Sequence, residues 1–235
     1  MKKVFALTAL AAVFSTSAFA GSSYVTGNVQ FHSENKSPNA TSTLEAGHTF
    51  DTGTTILTEF DGISLGSYPG DFNEGNGKTP YITLGVEQSY AINDNLWVAA
   101  GYHHLLNNGE TVQYRPLVKI GYNFDNGLSI SNRTRAHMFV EKDSHTQKSD
   151  TDYRLDNKIA YAFADQEIAV AYNNVYIFAG DKNSNAEDKK NTMDHELRAT
   201  WTREGVQPYF ELRSQGHGGD NKVNNAFVFG ASYGF

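Results

Sequence analysis

Residues 227–235 read FVFGASYGF, and this stretch limits the fold classes open to the chain. Bulky apolar side chains alternate with smaller ones, so Phe227, Phe229, Tyr233 and Phe235 fall on one face of an extended strand. Such a face packs against an apolar phase. That phase is either membrane lipid or the core of a soluble β-sandwich.

The beginning of the sequence favours lipid. Lys2 and Lys3 precede an apolar run over residues 4–14, and small residues lead up to Ala20. This pattern predicts a secretory signal peptide over residues 1–20, cleaved after Ala20, and a mature domain over residues 21–235. The run is too short to span a bilayer as a helix, which takes about 20 residues. An exported chain of this kind enters a membrane as a β-barrel, and an aromatic residue at its end is typical of the strand that closes one.

Turn signals predict the number of strands. Five short turns are indicated, at residues 51–53, 93–95, 125–127, 165–166 and 204–205. Six longer polar stretches alternate with them, at residues 33–42, 64–79, 107–111, 143–150, 180–191 and 216–221. Eleven connections predict an all-β, transmembrane, antiparallel up-and-down barrel of 12 strands, with short periplasmic turns and longer extracellular loops. The predicted location is the outer membrane of a Gram-negative bacterium, in contact with its lipid and lipopolysaccharide.

Composition agrees with this fold and excludes several functions. The chain has no cysteine, which excludes disulfides and thiolate sites, and its 13 tyrosines and 15 phenylalanines suit two interfacial girdles. Its net charge is −7, and loss of Lys2 and Lys3 leaves −9, which argues against nucleic acid as a partner. The eight histidines show no metal-ligand spacing, and no cofactor or metal site is predicted.

The inward face of the predicted strands carries a group of basic residues. Alternation over residues 112–124, 128–140 and 152–163, and over the strands near 198 and 213, turns these side chains to the lumen. They are Arg115, Lys119, Arg133, Arg135, Arg154, Lys158, Arg198 and Arg213. Most lie six to eight residues from a short turn, which predicts a belt near mid-depth. Guanidinium groups form bidentate hydrogen bonds with carboxylates, so this belt is predicted to favour anions and to offer successive binding sites to a linear polyanion.

The same face carries acids, which leaves a second interpretation open. Cross-strand pairs between arginines and carboxylates would rigidify the wall and fill the lumen. The acids in question are Asp152, Asp156, Asp194, Glu196 and Glu211. Arg133 and Arg135 have no inward acid after them on their own strand until Glu141, so we expect this pair to matter most for anions.

The first third of the chain has a different inward face. Glu45, Glu59, Glu87 and His103 are expected to point inward there. Trp97 follows a turn directly, which favours a place in the girdle over one in the lumen. The glycine-containing loop 64–79 either folds into the pore or stays outside it.

Three stretches resemble the oligogalacturonate-specific porin (KdgM) family, which includes the sialic-acid porin. They are residues 102–111 followed by YRPLVK at 114–119, residues 128–136, and residues 153–163. The resemblance implies a monomeric outer-membrane channel for acidic oligosaccharides, lined by two arginine tracks. Its last strand, ending at Phe235, would engage the barrel assembly machinery. No inward base is predicted on the ninth strand, so two opposed tracks are not evident from the sequence.

The predicted function is therefore passive diffusion of acidic oligosaccharides such as oligogalacturonate, other uronic acid oligomers or sialic-acid-type sugars. A nonspecific small-solute porin and a structural barrel with a closed lumen are the alternatives. An outer-membrane hydrolase would need a serine beside a lipid-facing histidine. His195 is the best histidine, in phase with Met193 and Leu197, but no serine partner is placed by phase, and no enzyme activity is predicted.

Overall fold

The computed structural model describes residues 21–33, 40–65, 79–140, 148–216 and 223–235. Twelve strands cross these ranges. They are β1 (Ser22–His32), β2 (Ala40–Thr49), β3 (Thr54–Ser64), β4 (Tyr81–Ala91), β5 (Leu96–Asn107), β6 (Glu110–Asn123), β7 (Leu128–Phe139), β8 (Asp152–Phe163), β9 (Ile168–Phe178), β10 (Thr192–Trp201), β11 (Gln207–Gly216) and β12 (Val223–Gly234). Each pairs antiparallel with the next in sequence, and β1 pairs with β12 to close the barrel. The predicted 12-strand up-and-down barrel is confirmed.

The two faces of β8 show why these sequences form a membrane barrel. Tyr153, Ile159 and Phe163 point outward and keep 53%, 46% and 44% of their surface exposed. Asp156, on the inward face of the same strand, keeps only 7%. This distribution reverses that of a soluble protein, and it is stable only where lipid covers the apolar side chains. The predicted alternation, apolar outward and polar inward, is therefore confirmed on this strand.

The connections follow the predicted alternation with one exception. The five predicted short turns join β2 to β3, β4 to β5, β6 to β7, β8 to β9 and β10 to β11. The predicted long loop at residues 107–111 is wrong, because only Asn108 and Gly109 separate β5 from β6. Both residues have positive φ, 53° and 81°, as a type I′ hairpin turn requires and as an Asn-Gly pair readily adopts. A polar composition was mistaken there for a long loop.

Several sequence predictions fall outside the described residues. The signal peptide over 1–20 lies wholly outside them, and so does most of loop 64–79, including its orientation toward the pore. Parts of the predicted loops 33–42, 143–150 and 216–221 lie outside them as well. Within the described ranges, none of the helices has the length and apolar character needed to span a membrane.

The seam between the first and last strands includes the final residue. Ser23 N donates to Phe235 O at 2.8 Å, and Phe235 N donates to Ser23 O at 2.9 Å. From there the pairing runs from Tyr24 opposite Gly234 to His32 opposite Ala226. The aromatic stretch at residues 227–235 thus lies at the end of the closing strand.

Candidate functional site

Within the described ranges, the barrel lumen contains a cavity of about 610 Å³ that is lined by residues of strands β1 to β11. All eight predicted bases line it. They are Arg115, Lys119, Arg133, Arg135, Arg154, Lys158, Arg198 and Arg213. They form two clusters, one on β6–β8 and one on β10–β11, because the inward positions of the intervening β9 include Ala171, Asn173 and Val175 but no base. The two clusters flank β9.

In the first cluster two arginines share one carboxylate. Arg133 Nε donates to Asp156 Oδ2 at 2.9 Å, and Arg154 Nη2 donates to Asp156 Oδ1 at 2.7 Å. Asp156 lies directly across from Arg133 in the β7–β8 ladder. The expectation that Arg133 lacks a nearby acid is therefore wrong. It considered positions along one strand, whereas the partner comes from the neighbouring strand.

The second cluster has the same design. Glu211, only 2% exposed, accepts from Arg198 Nε at 2.5 Å through one oxygen and from Arg213 Nε through the other. The Arg198 guanidinium lies 4.2 Å from the ring centre of Tyr209, and Arg213 Nη1 also donates to Gln30 Oε1 at 3.3 Å. These contacts fix both arginines against the wall.

A third ion pair joins β4, in the first half of the chain, to β6 of the basic wall. Lys119 Nζ donates to Glu87 Oε2, and the other oxygen of Glu87 lies 2.9 Å from His103 Nε2. Glu87 belongs to β4 and Lys119 to β6, so the contact passes over the inward face of β5. Glu87 and His103 were both predicted to point inward, and each is only 4% exposed.

Arg115 and Arg135 differ from the other arginines. Across the described ranges, neither has a carboxylate oxygen within 4.0 Å. Arg115 Nε donates to the uncharged Gln113 Oε1 at 2.5 Å. Arg135 is 7% exposed, and its buried Nε has no hydrogen-bond partner in the described part of the chain. His137 lies on the same face of β7, and its buried Nε2 also has no hydrogen-bond partner in the described part of the chain.

The remaining acids predicted on this face have other partners. Asp152 pairs with Lys189 at 2.5 Å, and Asp194 accepts from Gly216 N at 2.8 Å. Glu196 accepts from Asn173 Nδ2 at 2.9 Å and lies 4.0 Å from Arg213. None of the three is placed to pair with Arg115 or Arg135.

The opposite wall, on β1–β3, presents acids instead of bases. Glu45 and Glu59 lie directly across from each other, and Tyr24 Oη donates to Glu45 Oε1 at 2.8 Å. Asp61, which sequence reasoning missed, accepts from Thr43 Oγ1 at 2.6 Å. Among the described residues, no Lys, Arg or His nitrogen lies within 4.0 Å of these three carboxylates. The lumen is thus basic on one side and acidic on the other.

Comparison with known proteins identifies the family. A family model described as oligogalacturonate-specific porin protein (KdgM) matches residues 14–235. The chain belongs to this porin family. No curated protein matches the chain significantly.

Solved structures of similar fold agree with this assignment. The porin is similar to the KdgM porin, at 15% identity and TM-score 0.65 over 90% of this chain and 99% of that one. It is similar to the NanC porin, at 16% identity and TM-score 0.70 over 89% and 98%. A third structure is the KdgM porin in complex with disordered oligogalacturonate, at 14% identity and TM-score 0.66 over 90% and 99%. Family and fold together make the protein an outer-membrane channel rather than an enzyme.

Trp97 of the porin lies in the lumen wall and not in the interfacial girdle. Its side chain is 4% exposed and lines the cavity. A Cβ atom at Gly121 would come within 2.3 Å of the Trp97 ring, so glycine at that position makes room for the indole. The girdle prediction was wrong because nearness to a turn in sequence does not determine which face a side chain takes.

The lipid-facing histidine of the porin does have a serine neighbour, contrary to the sequence expectation. Ser214 lies directly across from His195 in the β10–β11 ladder. His195 Nδ1 is 2.6 Å from Tyr172 Oη, and no hydrogen bond joins His195 to Ser214 in the described residues. The described part of the chain also contains no group of three or more residues that could hold a metal ion. The predicted absence of enzyme activity stays a prediction for this pair.

Proposed function

We propose that this porin lets acidic oligosaccharides diffuse passively across the outer membrane, and that lumen arginines without a carboxylate partner among the described residues give it its preference for anions. Oligogalacturonate, other uronic acid oligomers and sialic-acid-type sugars are the substrate class. The observation that carries the proposal is the position of Arg115 and Arg135. Both line the lumen cavity, and both lack a carboxylate partner among the described residues.

The energetics of Arg135 support this substrate class. A buried donor without an acceptor costs free energy, about 1–3 kcal/mol, and more when the group is charged. The carboxylate of a passing uronate would accept from this guanidinium and recover part of that cost. Arg133 and Arg154 contribute less, because Asp156 already occupies both.

A nonspecific small-solute porin is the second candidate. The acidic wall formed by Glu45, Glu59 and Asp61 favours it, because unpaired carboxylates in the same cavity attract cations and offset part of the anion preference. The two candidates differ in what the lumen recognises. The first predicts recognition of acidic sugars, and the second predicts none.

The test uses the purified porin in a planar bilayer. We expect a reversal potential of the anion-selective sign under a salt gradient, and block of the current by oligogalacturonate at concentrations where a neutral glucose oligomer of equal length has no effect. Equal block by the two sugars would favour the nonspecific porin. Cation selectivity, or no conductance, would contradict the proposal.

A further inference from the structure

The acidic wall on β1–β3 has more hydrogen-bond acceptors than the barrel supplies donors. An ionised carboxylate offers about four acceptor positions. Among the described residues, one hydroxyl group donates to each carboxylate of this wall. The donors are Tyr24 for Glu45, Thr83 for Glu59 and Thr43 for Asp61. Even with the hydrogen bond that joins Glu45 to Glu59, most of the acceptor positions are open to the hydroxyl groups of a solute.

The acidic wall lies at the same height in the barrel as the basic wall on β6–β8. Glu45 and Glu59 are each six residues from the short turn at 51–53, and Lys119 and Arg133 are each six residues from the turn at 125–127. Equal distances along similarly tilted strands place the four groups near one level. All four line the cavity of about 610 Å³, a volume typical of pockets that enclose a small ligand. A short segment of a sugar chain there would therefore contact both walls.

The basic wall presents a buried cation without a carboxylate partner to the same cavity. Arg135 is 7% exposed, and its Nε has no hydrogen-bond partner in the described part of the chain. Asp61 and Arg135 are each eight residues from the same two turns, so they also lie near one level. A ligand with a carboxylate on one edge and hydroxyl groups on the other would satisfy both walls at once.

We propose that the acidic wall binds the hydroxyl edge of the passing sugar while the basic wall binds its carboxylate. In each ring within an oligogalacturonate chain, the carboxylate lies on one edge and the free hydroxyl groups lie on the opposite edge. The acidic wall accepts strong, charge-assisted hydrogen bonds from hydroxyl groups and repels the uronate carboxylate, so the two walls together determine how the ring is turned. This role rests on the passage of acidic sugars proposed above, and it makes Glu45, Glu59 and Asp61 determinants of which anions are recognised.

Acetylation of the sugar hydroxyl groups tests this role. Block of the current through the porin in a planar bilayer is measured with a galacturonate trimer and with the same trimer fully O-acetylated, which keeps every carboxylate. We expect the acetylated trimer to bind the wild type at least tenfold more weakly, because an acetylated hydroxyl group can no longer donate a hydrogen bond. Equal block by the two trimers would overturn the role of the acidic wall and leave the proposed function intact. No block by either trimer would overturn both.

A variant separates the lost hydrogen bonds from the added bulk of the acetyl groups. In Glu45→Gln combined with Glu59→Gln, we expect the tenfold affinity ratio to fall to about threefold, because hydrogen bonds to a neutral amide are roughly half as strong. The two trimers carry the same charge, so the loss of repulsion cancels in the ratio. A ratio that stays at tenfold would mean that bulk alone excludes the acetylated trimer, and it would overturn the proposal.

The matched control is Asp194→Asn combined with Glu196→Gln. It removes the same charge from the cavity wall, but on β10, outside the acidic wall. We expect this control to keep the tenfold ratio, and an equal fall in both variants would overturn the proposal. The ratios come from open channels alone, so partial misfolding of a variant does not alter them.

Discussion

The two sides of the lumen share one cavity but handle their charges differently. On β6–β8 and β10–β11, Asp156 and Glu211 each hold two arginines. On β1–β3, Glu45 and Asp61 accept hydrogen bonds from hydroxyl groups. Five of the eight bases thus have a carboxylate partner, although each shared carboxylate balances only one of its two arginines. Within the described ranges, the three acids of the other side have no cationic partner within 4.0 Å. The lesson is that the charges without partners, rather than the total charge of the chain, set the field that a passing ion meets.

The largest expected effect comes from removing the two bases without carboxylate partners. We expect Arg115→Gln combined with Arg135→Gln to lower the anion-to-cation permeability ratio roughly fivefold, because uncompensated charge in a narrow lumen acts at short range. Reversal potentials under a salt gradient measure the ratio. The control is Lys119→Gln combined with Glu87→Gln, which removes a charge of each sign from one pair and takes a carboxylate from no arginine. If both double variants changed the ratio equally, partner status would not decide selectivity.

The free energy of unfolding should also distinguish the basic side of the lumen from the acidic side. We expect Glu211→Gln to lower the free energy of unfolding by about 2 kcal/mol, less than a fully buried pair would lose, because the arginines are partly exposed. The reason is that Arg198 and Arg213 would lose their shared carboxylate. Equilibrium unfolding in guanidinium chloride, with the protein in detergent, measures the change in free energy. Glu59→Gln, which breaks no ion pair within the described ranges, is the matched control and is expected to change the free energy of unfolding little. An equal loss would contradict the contrast between the two sides.

Neutralising the acidic side should act in the opposite direction to the arginine variants. We expect Glu45→Gln combined with Glu59→Gln to raise the anion-to-cation ratio about twofold, since two negative charges leave the cavity wall. Reversal potentials again measure it. Asp165→Asn, in the exposed turn between β8 and β9, serves as the control and should leave the ratio unchanged. An unchanged ratio in the Glu45 and Glu59 variant would show that these carboxylates do not face the ion path.

The smallest effect is expected for an ion pair outside the barrel wall. Lys182 Nζ lies 2.5 Å from Asp188 Oδ1 in the connection between β9 and β10, and Lys182 holds the pKa of the Asp188 carboxyl below its ordinary value. Any contribution of the pair to stability is therefore present above the unfolded-state pKa of the carboxyl and is lost as pH falls through the lowered pKa. Both groups are exposed, so we expect Asp188→Asn to leave the unfolding midpoint unchanged at pH 7 and at pH 3. A midpoint that fell only at pH 7 would show that the connection helps to hold the barrel.

The sequence allowed the fold to be predicted more fully than the site. The bounds predicted for the strand at 152–163 match β8 at both ends, because its alternation is regular and turn residues flank it. All eight predicted bases line the lumen for the same reason. Their partners could not be predicted, since the pairing of Arg133 with Asp156 depends on cross-strand register. The position of Ser214 across from His195 could not be predicted for the same reason, because it too depends on cross-strand register.

The seam between β1 and β12 has a consequence for how the chain reaches its native state. Every other ladder joins strands that are neighbours in sequence, so those hairpins can form from local contacts. The seam joins Tyr24 to Gly234, and its last hydrogen bonds need Phe235 itself. Until β12 pairs with it, β1 has an open edge that can pair with other chains. Closure of the barrel therefore removes the last strand edge through which the protein could aggregate, and a variant that cannot form this seam would keep that edge exposed.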